Sequence, residues 1–246
     1  MDLYSLNGEF LGCNIARPDV SMFESIGVIG DSFASGVIDV NGTLEAHYNI
    51  SWPQILKRMT GCNVVNYTKG GLSTKTWLTD AEYGLAKLNS ETANNLYVIA
   101  LGINDFNNEV ALGTYDGNGT FPTVTTTFRE AYAIMLNKIM TAYPTAEIWC
   151  ATLPACERNG ETRAPEINGN NVLLDDFNKA IRNLAQVFGA KVLEHSQCGL
   201  TYQNMSTYMG DWASSSSQGL HPNANGHSLI ANNDIRQMDS FVRTRY

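Results

Sequence analysis

Five short apolar runs recur along the 246 residues: Ile26–Ile29, Cys62–Tyr67, Leu96–Leu101, Glu147–Thr152 and Ala190–Leu193. They are too short for helices and rich in β-branched and apolar residues, so they read as buried strands. Helical signals separate them. Ser51 as cap and Pro53 in the first turn start a helix that Gly61 ends. Further helices are expected over Trp77–Leu88, Thr123–Tyr143, Leu173–Phe188 and about Asn223–Val242, with Phe128, Tyr132, Met135, Leu136 and Ile139 at helical spacing in the second of these. Strands alternating with helices imply an α/β fold with a parallel sheet covered on both faces. Residues 1–25 precede the first core strand. Their Asn7-Gly8 step is a hairpin signal, so they read as an N-terminal arm or hairpin, or a linker from something upstream, with 26–246 as one domain.

Composition narrows the partners. A net charge of -8 and a pI near 4.9 argue against nucleic acid or an anionic membrane as partner. No apolar run approaches the ~18 residues of a membrane span, so no membrane insertion is expected. Met1-Asp2-Leu3-Tyr4 lacks the basic and apolar regions of a signal peptide. That leaves a cytoplasmic setting, or a secreted or virion-associated one for a trimmed or longer chain. The five cysteines are an odd count without a C-x-x-C pair, so a disulfide framework is not expected. None of the four histidines has a cysteine or second histidine at metal-ligand spacing in a helix, and no metal or other cofactor is expected.

The first run ends in Gly30-Asp31-Ser32, where a parallel strand gives way to a helix. In an open α/β sheet that edge is where ligands bind. A Gly-Asp-Ser turn can also be a helix cap and nothing more. Three other stretches tip the balance: Gly70-Gly71 after the second strand, Asn104-Asp105 after the third, and His221 before the last helix. Acyl transfer needs a serine with a base to take its proton, and His221 is the candidate. It also needs donors for an oxyanion, and Ser32 N–H, Gly71 N–H and the Asn104 amide can supply three.

These four stretches resemble the SGNH (GDSL-type) hydrolase family. Gly30-Asp31-Ser32-Phe33-Ala34-Ser35-Gly36 is similar to its first block, Gly70-Gly71-Leu72-Ser73 to its second, and Gly102-Ile103-Asn104-Asp105 to its third. Leu220-His221-Pro222 through Gly226-His227 resembles the last, and the order holds over residues 26–240. The resemblance implies a flavodoxin-like three-layer α/β/α sandwich with a five-stranded parallel sheet in the order 2-1-3-4-5. It also implies serine-dependent ester hydrolysis without a metal.

One position departs from the pattern. Where the family carries an acid three residues before the histidine, this chain has Gln218. Replacing the acid of a serine protease triad by its amide cost about 10⁴ in rate. Three explanations compete: a Ser32–His221 dyad with Gln218 or a backbone carbonyl accepting from the imidazole, a displaced acid with Asp211 nearest, or weakened catalysis. The first two together are favoured, since the other blocks are intact.

Asp31, Asp105, Phe106 and Trp212 are the candidates to contact substrate, although Asp31 and Asp105 read first as turn acceptors holding their loops. His227 reads as structural; His195 could point into a pocket but reads first as a packing or surface residue. The expected substrate is a small-molecule or glycan ester, with a carbohydrate O-acetyl group ahead of a long-chain lipid. The alternatives are a lipase or thioesterase of the same family, or a degenerate, non-catalytic glycan-binding module. A flavodoxin-like cofactor binder is disfavoured, because no G-x-G-x-x-G or phosphate loop follows the first strand. The oligomeric state is left open.

Overall fold

The computed structural model describes residues 2–4, 10–13, 23–40, 43–156, 167–210 and 219–243. An antiparallel pair, β1 (Asp2–Tyr4) and β2 (Phe10–Cys13), comes first. The Asn7-Gly8 step between them lies outside the described residues. β3 (Ser25–Gly30) runs into a four-residue helix α1 (Ser32–Ser35), then a ribbon of β4 (Val37–Val40) and β5 (Thr43–Ala46). By sequence, 37–46 reads only as a polar, Gly-containing segment. Its Asn41-Gly42 step, flanked by Val37–Val40 and Thr43–Ala46, is the hairpin signal that such a reading passes over.

α2 (Trp52–Thr60) and β6 (Asn63–Thr68) follow. Ser51 occupies the N-cap of α2 without acting as an acceptor there; its hydroxyl donates back to the Tyr48 carbonyl at 2.6 Å. The single helix expected over 77–88 is two shorter ones, α3 (Thr74–Trp77) and α4 (Leu85–Ser90). Asp80 is the reason: its Oδ1 accepts from the N–H groups of Glu82 and Tyr83, which turns the chain between them. β7 (Leu96–Ala100) leads into α5 (Ile103–Asn107) and then α6 (Phe128–Ala142). α6 starts later than the expected Thr123 because Thr127 and Glu130 form a capping box that sets the first turn. β8 (Glu147–Ala151), α7 (Leu174–Phe188), β9 (Lys191–Leu193), α8 (Met205–Tyr208) and α9 (Ala224–Arg243) complete the chain.

The central sheet has five parallel strands in the order β6-β3-β7-β8-β9. Numbering only these strands gives 2-1-3-4-5, the order the resemblance implied. α2 packs with α9, while α3 and α7 both pack with α6, so the helices form two layers with the sheet between them. Trp52, Trp77, Trp149, Tyr97 and Phe177 are fully buried around it. Each such side chain contributes roughly 1.5–3 kcal/mol of apolar burial, enough to hold a sheet that is apolar on both faces. The register aligns the strand ends. Gly30 pairs with Thr68 on one side and with Ala100 on the other, so β3, β6 and β7 end side by side at one edge.

Candidate active site

At the end of β3 the chain turns sharply and α1 begins. Asp31 is its N-cap. Oδ1 accepts from the Phe33 N–H at 3.0 Å, and the Asp31 carbonyl accepts from Ala34 and Ser35 at 3.1 and 2.9 Å. The Ser32 N–H is the first-turn donor that none of these acceptors takes. Ser32 itself is only 6% exposed.

The neighbouring strand brings the second turn alongside. Lys69 N–H donates to the Gly30 carbonyl at 3.2 Å, carrying the ladder one residue past β6. Gly71 then sits at φ 81°, a conformation that favours glycine. A Cβ built there meets no heavy atom of the described residues within 4 Å, which leaves space beside it among them.

Asn104 and Asp105, in the first turn of α5, clamp that second turn from the other side. Asn104 Nδ2 donates to the Leu72 carbonyl at 3.0 Å. A carbonyl partner identifies the nitrogen end of the amide, and one of its two N–H bonds remains for another acceptor. Asp105 grips Thr74 with both oxygens, from the backbone N–H at 2.9 Å and from Oγ1 at 2.7 Å. Burial raises the Asp105 pKa and the Thr74 bonds oppose the rise.

His221 arrives from the far end of the chain. Its loop is stapled to the segment after α8: Gly210 N–H donates to the His221 carbonyl at 2.7 Å, and Asn223 N–H to the Tyr208 carbonyl at 2.8 Å. Asn223 caps α9 by accepting from Asn225 and Gly226 N–H. Gly226 lets this turn approach closely, since a Cβ there would stand 2.5 Å from the Tyr208 carbonyl oxygen. His221 is 3% exposed.

His227, one turn into α9, is fully buried, and neither ring nitrogen has a hydrogen-bond partner among the described residues. Burial pushes its imidazole down to about 4, and the charge on His221 pushes the same way. The folded protein therefore binds this proton less readily than the unfolded chain. The resulting stability is fully present above the ordinary histidine value of 6.5 and is lost as pH falls towards about 4. His227→Leu is expected to remove that dependence, worth on the order of 3 kcal/mol over the window. Urea unfolding of both proteins at about pH 7 and pH 4.5 checks it; equal losses on acidification would refute the assignment.

Between them these turns present a serine, unclaimed donors and a buried histidine, with no group of three or more His, Cys, Asp or Glu among the described residues that could hold a metal ion. A family model described as GDSL-like Lipase/Acylhydrolase matches residues 28–229. The chain belongs to this family. It is accordingly a serine ester hydrolase of the GDSL type. No curated protein matches the chain significantly.

Solved structures show the same fold at low identity. A protein from Lactobacillus plantarum is 20% identical, with a TM-score of 0.65 over 91% of this chain and 98% of that one. Est24, a carbohydrate acetylesterase from Sinorhizobium meliloti, is 14% identical, with a TM-score of 0.63 over 89% and 99%. The psychrotrophic esterase EstA from Pseudoalteromonas sp. is 14% identical, with a TM-score of 0.59 over 89% and 99%.

Within this GDSL-family chain, three residues expected to contact substrate are as buried as Ser32 and His221. Asp31, Asp105 and Phe106 are 1%, 0% and 1% exposed. The two acids hold the loops, as their turn reading anticipated, and Phe106 packs edge-on against Phe177 at 5.6 Å. Trp212, Gln218 and Asp211 lie outside the described residues. His195, read as a packing or surface residue, is a buried packing residue. It stacks edge-on with Trp52 and its Nε2 lies 2.8 Å from Asp234 Oδ1. Sequence reasoning missed this pair because its members are 39 residues apart with no motif linking them.

Proposed function

We propose that the site hydrolyses small acyl esters, carbohydrate O-acetyl groups foremost. Ser32 Oγ attacks the ester carbonyl while His221 takes its proton, and the imidazolium then returns that proton to the leaving alcohol. Water repeats the sequence on the acyl-serine, releasing the acid. The N–H groups of Ser32 and Gly71 and the Asn104 amide receive the oxyanion of each tetrahedral intermediate.

The observation that carries this reading is the Asn104 clamp. Its bond to the Leu72 carbonyl fixes the amide beside the open space at Gly71 and leaves an N–H to spare. A donor held in place before the reaction stabilises developing charge without reorganising. Asn104→Ala is expected to lower kcat by about 10²–10³-fold with a much smaller change in KM, measured on p-nitrophenyl acetate. An unchanged kcat would remove Asn104 from the oxyanion site.

The substrate class is supported by loops rich in Tyr, Asn and Ser, and by the fold shared with a carbohydrate acetylesterase. No described helix is long and apolar enough to cross a membrane. A panel of acetylated sugars and p-nitrophenyl esters of increasing chain length tests it. Acetyl esters are expected to be preferred; a clear preference for long chains would favour a lipase, and for acyl thioesters a thioesterase.

A further inference from the structure

Behind the Ser32 turn is a cavity of about 10 Å³, room for about one water, lined by Asp31, Phe33, Trp52, Thr152, His195 and Ile230 among others. Asp31 is its unusual member. Oδ1 is committed to the Phe33 N–H, but Oδ2 is buried with no protein partner among the described residues. The polar groups across the cavity are engaged elsewhere. His195 Nε2 is held by Asp234, and the Thr152 hydroxyl lies among Glu194, Ser196 and the Leu193 carbonyl.

We propose that Asp31 works as a neutral carboxylic acid, a positioning residue that shapes the Ser32 turn through Oδ1 and keeps a second negative charge away from the oxyanion. This rests on the proposed role of Ser32. An ionised carboxylate with one oxygen buried and without a protein donor is costlier than the neutral acid.

The Phe33 N–H favours the ionised form, but burial and the nearest charge favour the neutral one. Asp105, from the α5 side, is the acid that receives two donors, and its charge further raises Asp31. From the β9 and α9 side, His195 faces its own acid, Asp234. Glu194, behind Thr152, is paired bidentately with Arg182. His221 stands at the start of α9. Burial lifts the Asp31 carboxyl to about 7; the Phe33 N–H opposes that rise, and the charge on Asp105 adds to it.

An ionised Asp31 would stand one residue from the Ser32 N–H and oppose the negative charge that forms there. The acid form is thus the working form, and kcat/KM reports its loss.

The test compares wild type with Asp31→Asn, a neutral near-isostere that retains an acceptor for the Phe33 N–H. On p-nitrophenyl acetate, wild-type kcat/KM is expected to fall about tenfold or more between about pH 7 and pH 9, while Asp31→Asn stays level. Infrared difference spectra of the resting proteins are expected to show a protonated carboxyl C=O band in wild type at about pH 6 that Asp31→Asn lacks. This second reading needs no turnover, so it separates failure of this proposal from failure of the esterase mechanism. The same alkaline fall in both proteins, absence of the band, or failure of Asp31→Asn to fold would each overturn the proposal. The last counts because a neutral acid tolerates its amide.

Discussion

Ser32→Ala is expected to lower ester turnover by about 10⁴-fold or more while leaving the fold intact. The magnitude reflects the role: without the hydroxyl no acyl-serine forms, and only the donors and the binding surface remain. The fold is expected to survive because alanine is at home in the first turn of a helix, and the contacts that build α1 run through Asp31 and the backbone. A fluorophosphonate, which bonds covalently to an activated serine, reads the same residue without a chosen substrate. Wild type is expected to label and Ser32→Ala not to. Equal labelling of both would move the nucleophile elsewhere. A folded wild type that does not label would point to a binding module on a hydrolase scaffold.

His221→Ala is expected to cost about 10⁴-fold in kcat, since a serine hydroxyl without a base is a poor nucleophile at neutral pH. Its loop is held by the His221 carbonyl with Gly210 N–H and by the cap at Asn223, none of which needs the imidazole. The variant is therefore expected to melt as a folded protein. A His221→Ala protein with undiminished kcat would rule His221 out as the base.

These expectations rest on residues that are largely legible in the sequence. Strand ends and glycine turns are local features: a β-branched run followed by glycine has few other conformations open to it. Ser32, Gly71 and Asn104 can thus be assigned to one edge, and the register places their strands side by side. Helix limits are less legible where a side chain competes with the helix, as Asp80 does between α3 and α4. The β4–β5 ribbon carries a readable Asn-Gly signal that composition obscures.

The sequence by itself determined the alternation of strands and helices, and the turn at which each candidate residue stands. Backbone freedom, β-branching and capping act over a few residues, and a linear reading contains them. Only the tertiary structure decided which polar groups lost water. Asp31, Asp105, His195, His227 and Asp234 are all buried, yet Asp105 meets two donors, His195 meets Asp234, and one oxygen of Asp31 meets no donor among the described residues. The charge state of a buried acid depends on neighbours brought from distant parts of the chain. That is why the Gly-Asp-Ser turn showed its serine in the sequence, and why the character of its aspartate emerged only from the packing behind it.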